Sequence, residues 1–230
     1  MTKVINLVES YVGKSGTSLF AGFLTDFLSD PKYKKNNPIL VDLDKINPDV
    51  LTRYRSICAT EERVSLHPVD NKGTSLIYYL LSLSYDNDTE IIVNVPSGSI
   101  DAIGAFISDT DFPPVVLRRW FVSNLDPKSW SIFETIAESD EDKFELILVH
   151  NLRDGIEMTV AQQEYCDDRE IRVIKMSSIQ LPGTDIELMV KRFDLPLSKL
   201  ANVFSEQGQK RLQACTDRIF EWIFSIVVGT

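Results

Sequence analysis

The sequence predicts a doubly wound, mostly parallel α/β sheet with helices on both faces, in a single domain over residues 1–230. Three observations carry this reading. Short, near-continuous apolar runs recur along the chain, as strands buried on both faces require. Segments of helical period separate them, which is the alternation that builds parallel βαβ units. No linker, repeat or low-complexity stretch interrupts the pattern, and a chain of 230 residues can bury one sizeable core.

The apolar runs are Val4–Val8, Ile39–Leu43, Glu90–Val95, Val115–Val122, Phe144–Val149 and Ile171–Met176. Helical patterns lie at 15–29, 48–57, 73–84, 99–108, 127–138 and 158–166. The first is carried by Leu19, Phe20, Phe23, Leu24, Phe27 and Leu28 at helical spacing. A final helix is predicted at about 205–228, where Leu212, Cys215, Ile219, Trp222, Ile223 and Ile226 recur with the same period.

Between the first apolar run and the first helical pattern stands Glu9-Ser10-Tyr11-Val12-Gly13-Lys14-Ser15-Gly16-Thr17. Strand, turn, Gly-Lys-Ser and helix is the order of a phosphate-binding loop, whose backbone N–H groups and helix N-terminus hold an anion. The helix macrodipole disfavours a cation at that end, so Lys14 needs an anion to justify it. In this reading Gly13 allows close approach, Lys14 bridges phosphates, Ser15 ligates Mg²⁺, and the Gly16 and Thr17 amides cap the phosphate. The usual pattern has Gly six residues before the Lys, and Val8 stands there instead.

Ligands of such sheets bind at the carboxyl ends of the strands, so the residues after each run are the candidates for chemistry. Asp42 and Asp44 follow the second run; they could position water or a metal, or end a strand and cap a helix. Asn94 stands after the third run, ahead of Pro96-Ser97-Gly98, and can hydrogen-bond in the second shell of a metal without bringing charge. After the fifth run, Asn151 and Asp154 could contact a purine base or make a polar turn. The segment Met176 to Pro182 could wall the base.

The net charge of −10 and the sequence pI near 4.7 argue against a general DNA-binding surface, which needs clustered Lys and Arg. Cys58, Cys166 and Cys215 lack metal-ligand spacing and fit a reducing, cytoplasmic setting. No signal peptide or long apolar run is visible. Two other segments compete for a role. Arg118 and Arg119 beside Trp120 and Phe121 could meet nucleic acid, or pack in a strand with their stems buried. The terminal helix could lie on a membrane, but Asp217 and Glu221 alongside Arg211 and Arg218 favour a packed helix.

In this order the segments resemble the ParA/MinD superfamily of deviant Walker ATPases, over most of the chain. The family's loop Lys-Gly-Gly-x-Gly-Lys-Thr/Ser aligns with Glu9 to Ser15, its second acidic motif with Val41 to Asp44, and its Asp-x-Pro-x-Gly switch with Asn94 to Gly98. The resemblance implies a P-loop NTPase-like three-layer sandwich, ATP or ADP with Mg²⁺ as cofactors, and Asn151 at the adenine. It also implies a homodimer in which the first loop residue reaches the other copy's phosphates. Glu9 reverses that charge, so a carboxylate is expected near the triphosphate, where it repels. With Asn94 in place of Asp, hydrolysis is expected to be weak or absent, with Asp42 and Asp44 the candidates for any turnover. The expected function is a nucleotide-dependent, partner-binding switch in plasmid or chromosome partition, stability or conjugative transfer. The alternative is a pseudo-ATPase interaction protein that no longer binds nucleotide.

Overall fold

The computed structural model describes residues 3–13, 15–33, 38–44, 49–54, 80, 89–109, 115–139, 143–176, 180–181, 184–185 and 195–227. Strands β1 (Lys3–Glu9), β2 (Ile39–Asp42), β3 (Ile91–Asn94), β4 (Val115–Ser123), β5 (Glu145–Asn151) and β6 (Arg172–Met176) form one sheet. All of its pairings are parallel, in the order β2-β3-β1-β4-β5-β6. Each predicted strand is present, with ends shifted by a residue or two. The short antiparallel pair β7 (Gln180–Leu181) and β8 (Thr184–Asp185) is an addition, too short to leave a periodic signal.

The helices are α1 (Thr17–Ser29), α2 (Asp49–Tyr54), α3 (Ile100–Asp109), α4 (Pro127–Glu138), α5 (Val160–Asp168), α6 (Leu197–Leu200) and α7 (Glu206–Val227). Predicted helix 73–84 lies outside the described residues apart from Leu80, as does 48–57 apart from Asp49–Tyr54. Side chains alternate across the sheet. Val8, Trp120, Val122, Ile147, Val149 and Ile174 face the layer that holds α1 and α7. Ile5, Leu7 and Leu117 meet Ile103 and Ile107 of α3 on the other face. Phe121 and Leu148 meet Phe133 of α4 and Cys166 of α5 there.

This arrangement positions a site. β1 and β3 are neighbours, yet the chain leaves β1 for α1 on one face and leaves β3 for α3 on the other. The two loops part above the sheet, and the crevice between them is the topological switch point.

The paired arginines are buried within β4, not offered to nucleic acid. Arg118 Nε donates to Glu145 at 2.6 Å, and Arg119 Nε donates to Glu9 at 2.7 Å. Helix α7 packs against α1 and β6, with the rings of Phe27 and Phe220 edge to face at 5.4 Å. No helix among the described residues is long and apolar enough to cross a membrane.

At the far end of α1, Asp26 accepts from Tyr54 Oη at 3.0 Å, from the Ser198 amide at 3.1 Å and from Ser198 Oγ at 2.8 Å. It thereby joins α1, α2 and α6. Burial pushes its carboxyl up from 3.8 to about 6, against the lowering effect of those bonds. The folded state therefore holds this proton more tightly than the unfolded chain does. The group's contribution to stability is full below about pH 4 and is lost as pH rises through about 6, by roughly 3 kcal/mol. Asp26→Asn is expected to flatten the pH dependence of the urea midpoint across that window, and an unchanged slope would contradict the assignment.

Candidate functional site

The loop after β1 is held by its own hydroxyls. Thr17 Oγ1 donates to Ser10 Oγ at 2.7 Å, and Ser10 Oγ donates to the Val12 carbonyl at 3.2 Å. A hydroxyl has one hydrogen, so in the 3.1 Å contact between Ser15 Oγ and Thr17 Oγ1 the donor is Ser15. The relay runs from Ser15 through Thr17 and Ser10 to Val12 and leaves the lone pairs of Ser15 Oγ available to a ligand. Ser10 stands where the family's loop has its first glycine, and its pairing with Thr17 is the reason a serine works there.

Gly16 is the N-cap of α1, with φ of 98°. A Cβ built on it would lie 2.7 Å from Asn151 Nδ2 and 2.9 Å from Met176 Cε, so both the backbone angle and the space call for glycine. Asn151 Nδ2 donates to the Ser15 carbonyl at 2.6 Å, and its Oδ1 accepts from the Arg153 amide at 3.0 Å. The ends of β5 and β6 thus buttress the loop from behind. Both polar atoms of Asn151 are engaged by backbone, so in this conformation the side chain positions the loop.

The start of α1 differs from those of α2, α4 and α5. Asp126 caps α4, Thr159 and Gln162 form a capping box on α5, and Asp42 Oδ2 accepts from the Val50 and Leu51 amides of α2. Helix α1 has no side-chain cap and no acidic residue in its first turn among the described residues. Its first amides and positive dipole end meet no capping side chain among the described residues.

Across the crevice, Asn94 Nδ2 donates to Asp42 Oδ1 at 2.9 Å, and the Asp44 amide donates to the same oxygen at 3.1 Å. With the two α2 amides, four donors converge on the Asp42 carboxylate. Burial raises its pKa, and the Asn94 bond and the backbone amides oppose that rise. Of the two roles open to Asp42 in the sequence, helix capping is the one its contacts occupy. Asn94 Oδ1 is buried without a partner among the described residues. Ser97, in the loop after β3, comes within 3.5 Å of a Cβ built on Gly13, so the two loops touch. Gly13, Ser15, Gly16, Thr17 and Asn151 therefore form one group, and Asp42 and Asn94 a second beside it. Lys14 and Pro182 lie outside the described residues.

The expectation for Glu9 needs correction. Its carboxylate does not line the loop; it is fully buried under the sheet's other face, paired with Arg119, whose guanidinium also stacks 4.8 Å from the Phe144 ring centroid. Tyr11 likewise turns away from the loop centre, against the α4 layer, with Lys128 Nζ 5.0 Å from its ring centroid. Neither partner was visible in the sequence, because Arg119 lies 110 positions from Glu9.

A glycine-bearing loop joins the central strand to an uncapped helix at the switch point of a parallel sheet, with the second acidic and Asn-x-Pro-x-Gly segments on the next two strands. The fold is a three-layer α/β sandwich with a P-loop-like strand, loop and helix at its switch point. No family model and no curated protein matches the sequence. Among the solved structures that resemble the chain along nearly all its length are two. One is a nucleotide-binding protein from Archaeoglobus fulgidus in complex with ADP, at 14% identity over 96% of this chain and 91% of that one, with a TM-score of 0.45. The other is an ATP complex of a Cyanothece McdA variant, at 14% identity over 95% of this chain and 96% of that one, with a TM-score of 0.46. At this identity the likeness is one of fold alone.

Proposed function

We propose that this ParA/MinD-like chain binds an adenine nucleotide with Mg²⁺ at the loop after β1, turns it over slowly or not at all, and acts as a switch for a partner protein. The observation that carries the reading is the uncapped start of α1, reached through a loop whose Gly16 has φ of 98°. A helix end left without a side-chain anion, at the carboxyl edge of a parallel sheet, is suited to phosphate.

Lys14 enters this proposal from its place in the sequence, as the cation that bridges phosphates. The amides of Gly16 and Thr17 cap the phosphate. The oxygens nearby suit Mg²⁺, which takes hard oxygen ligands and keeps several waters. Ser15 Oγ has lone pairs free, and Asn94 Oδ1 is a buried acceptor without a partner among the described residues. Bound Mg²⁺ would neutralise phosphate charge, with Ser15 as its ligand and Asn94 and Asp44 reached through water. Weak turnover follows from the same residues: Asp42 already receives four donors, and Asn94 carries no charge to orient an attacking water.

The wider role proposed is positioning, stability or conjugative transfer of plasmids or chromosomes in the cytoplasm, through a second protein or a second copy of this chain. The resemblance in motif order supports it. Ser15→Ala tests the metal assignment: titration with ATP is expected to show affinity about tenfold weaker in Mg²⁺, roughly 1.4 kcal/mol, and unchanged affinity in EDTA. Equal loss in both buffers would remove Ser15 from the metal.

A further inference from the structure

A hydroxyl that ligates a cation must turn its hydrogen away from the metal, and that hydrogen needs an acceptor. For Ser15 the acceptor at hand is Thr17 Oγ1, 3.1 Å away. Which of the two hydroxyls donates is decided farther along the loop. Thr17 Oγ1 commits its single hydrogen to Ser10 Oγ at 2.7 Å, and Ser10 Oγ commits its own to the Val12 carbonyl at 3.2 Å. A carbonyl only accepts, so the chain of bonds has one polarity, from Ser15 to Val12. Ser10 is 2% exposed and Ser15 8% exposed, which leaves little room for water to replace these bonds.

The two residues that impose this polarity, Ser10 and Thr17, lie seven positions apart, on either side of Gly13-Lys14-Ser15. Neither side chain has a part in the phosphate site as described above, which uses Thr17 through its amide. We propose that the side chains of Thr17 and Ser10 are positioning residues for the metal, holding Ser15 with its hydrogen turned to Thr17 and its lone pairs offered to Mg²⁺. This inference rests on the nucleotide reading.

Two physical effects make the relay matter to the metal. Without an acceptor, the Ser15 hydroxyl turns among its staggered wells, and binding has to fix it at that moment. The relay fixes it beforehand. A cation on Ser15 Oγ also makes its O–H a stronger donor, and the polarisation passes through Thr17 and Ser10 to the Val12 carbonyl. The relay is therefore stronger with the metal bound than without it, and that difference adds to metal affinity.

The readout is the affinity for ATP in Mg²⁺ divided by the affinity in EDTA, from calorimetric titration of the full chain. A side chain that only supports the fold moves both affinities together and leaves this ratio where it was. Thr17→Val keeps the branched shape and the backbone amide but removes the acceptor. It is expected to lower the ratio about three- to tenfold, the equivalent of one hydrogen bond. Thr17→Ser restores the hydroxyl and is expected to keep the native ratio. Ser10→Ala carries the same test from outside the helix: it frees the Thr17 hydrogen to point at Ser15 and is expected to lower the ratio by a smaller factor. On a Ser15→Ala background, Thr17→Val is expected to lower the ratio no further, because Thr17 acts through Ser15.

A native ratio above one that both Thr17→Val and Ser10→Ala retain would overturn this proposal and leave the nucleotide reading standing. So would a Thr17→Ser chain as impaired as Thr17→Val, or a further loss on the Ser15→Ala background. A native ratio near one, or no ATP bound in either buffer, would overturn the metal reading and this proposal together.

Discussion

Arg119→Ala is expected to destabilise the fold by about 3–5 kcal/mol, the cost of leaving a buried charge without its partner. Glu9 is fully buried and Arg119 is 2% exposed, so neither can turn to water when the other is removed. Folded domains are stable by roughly 5–15 kcal/mol, so this single change should take a large part of the total. Replacing both residues by apolar ones of similar shape, Glu9→Leu with Arg119→Met, is expected to restore most of the loss, since a buried pair is often no better than good apolar packing. Urea midpoints at constant slope measure both variants. A loss below about 1 kcal/mol for Arg119→Ala would mean that the pair reaches solvent.

The second large effect is expected at Gly16. Alanine there must hold a φ of 98°, a strained conformation for an L side chain that costs about 1–3 kcal/mol. Its Cβ would also press on Asn151 Nδ2 at 2.7 Å, so the loop must move off the end of β5 and lose the bond from Asn151 to the Ser15 carbonyl. Gly16→Ala is therefore expected to weaken both stability and nucleotide affinity. Asn151→Ala alone loses the bond but not the backbone angle. Since the two changes act on one contact, the double variant should be less destabilised than the sum of the singles. Strict additivity, or a Gly16→Ala chain as stable as the native one, would contradict the buttressing of the loop.

The parts of this molecule that were legible in the sequence are those governed by local pattern. β1, β3 and β5 are buried on both faces and read as continuous apolar runs, and α1 and α7 keep a helical period over several turns. The loop was legible because its residues from Gly13 to Thr17 are consecutive in the sequence. What escaped was pairing across distance. A glutamate beside a phosphate motif reads as a charge near the triphosphate, and only the parallel register of β1 and β4 brings Arg119 to it. Asn151 reads as a base contact because of where it falls in the motif order, whereas the fold sets it against a loop 136 positions earlier. Asp42 and the amides of α2 are close enough in sequence that capping stood among its readings.

The central claim is that the loop after β1 binds a nucleotide through Lys14, and thermal unfolding tests it most directly. A ligand that binds only the folded state stabilises it, by about 2.7 kcal/mol at a hundredfold excess over its dissociation constant. With millimolar ATP or ADP and Mg²⁺, the native chain is expected to melt at a higher temperature, GTP is expected to do less, and Lys14→Ala is expected to show no shift. A native chain whose melting no nucleotide changes, with or without Mg²⁺, would contradict the account and leave a P-loop fold that works through protein contacts alone.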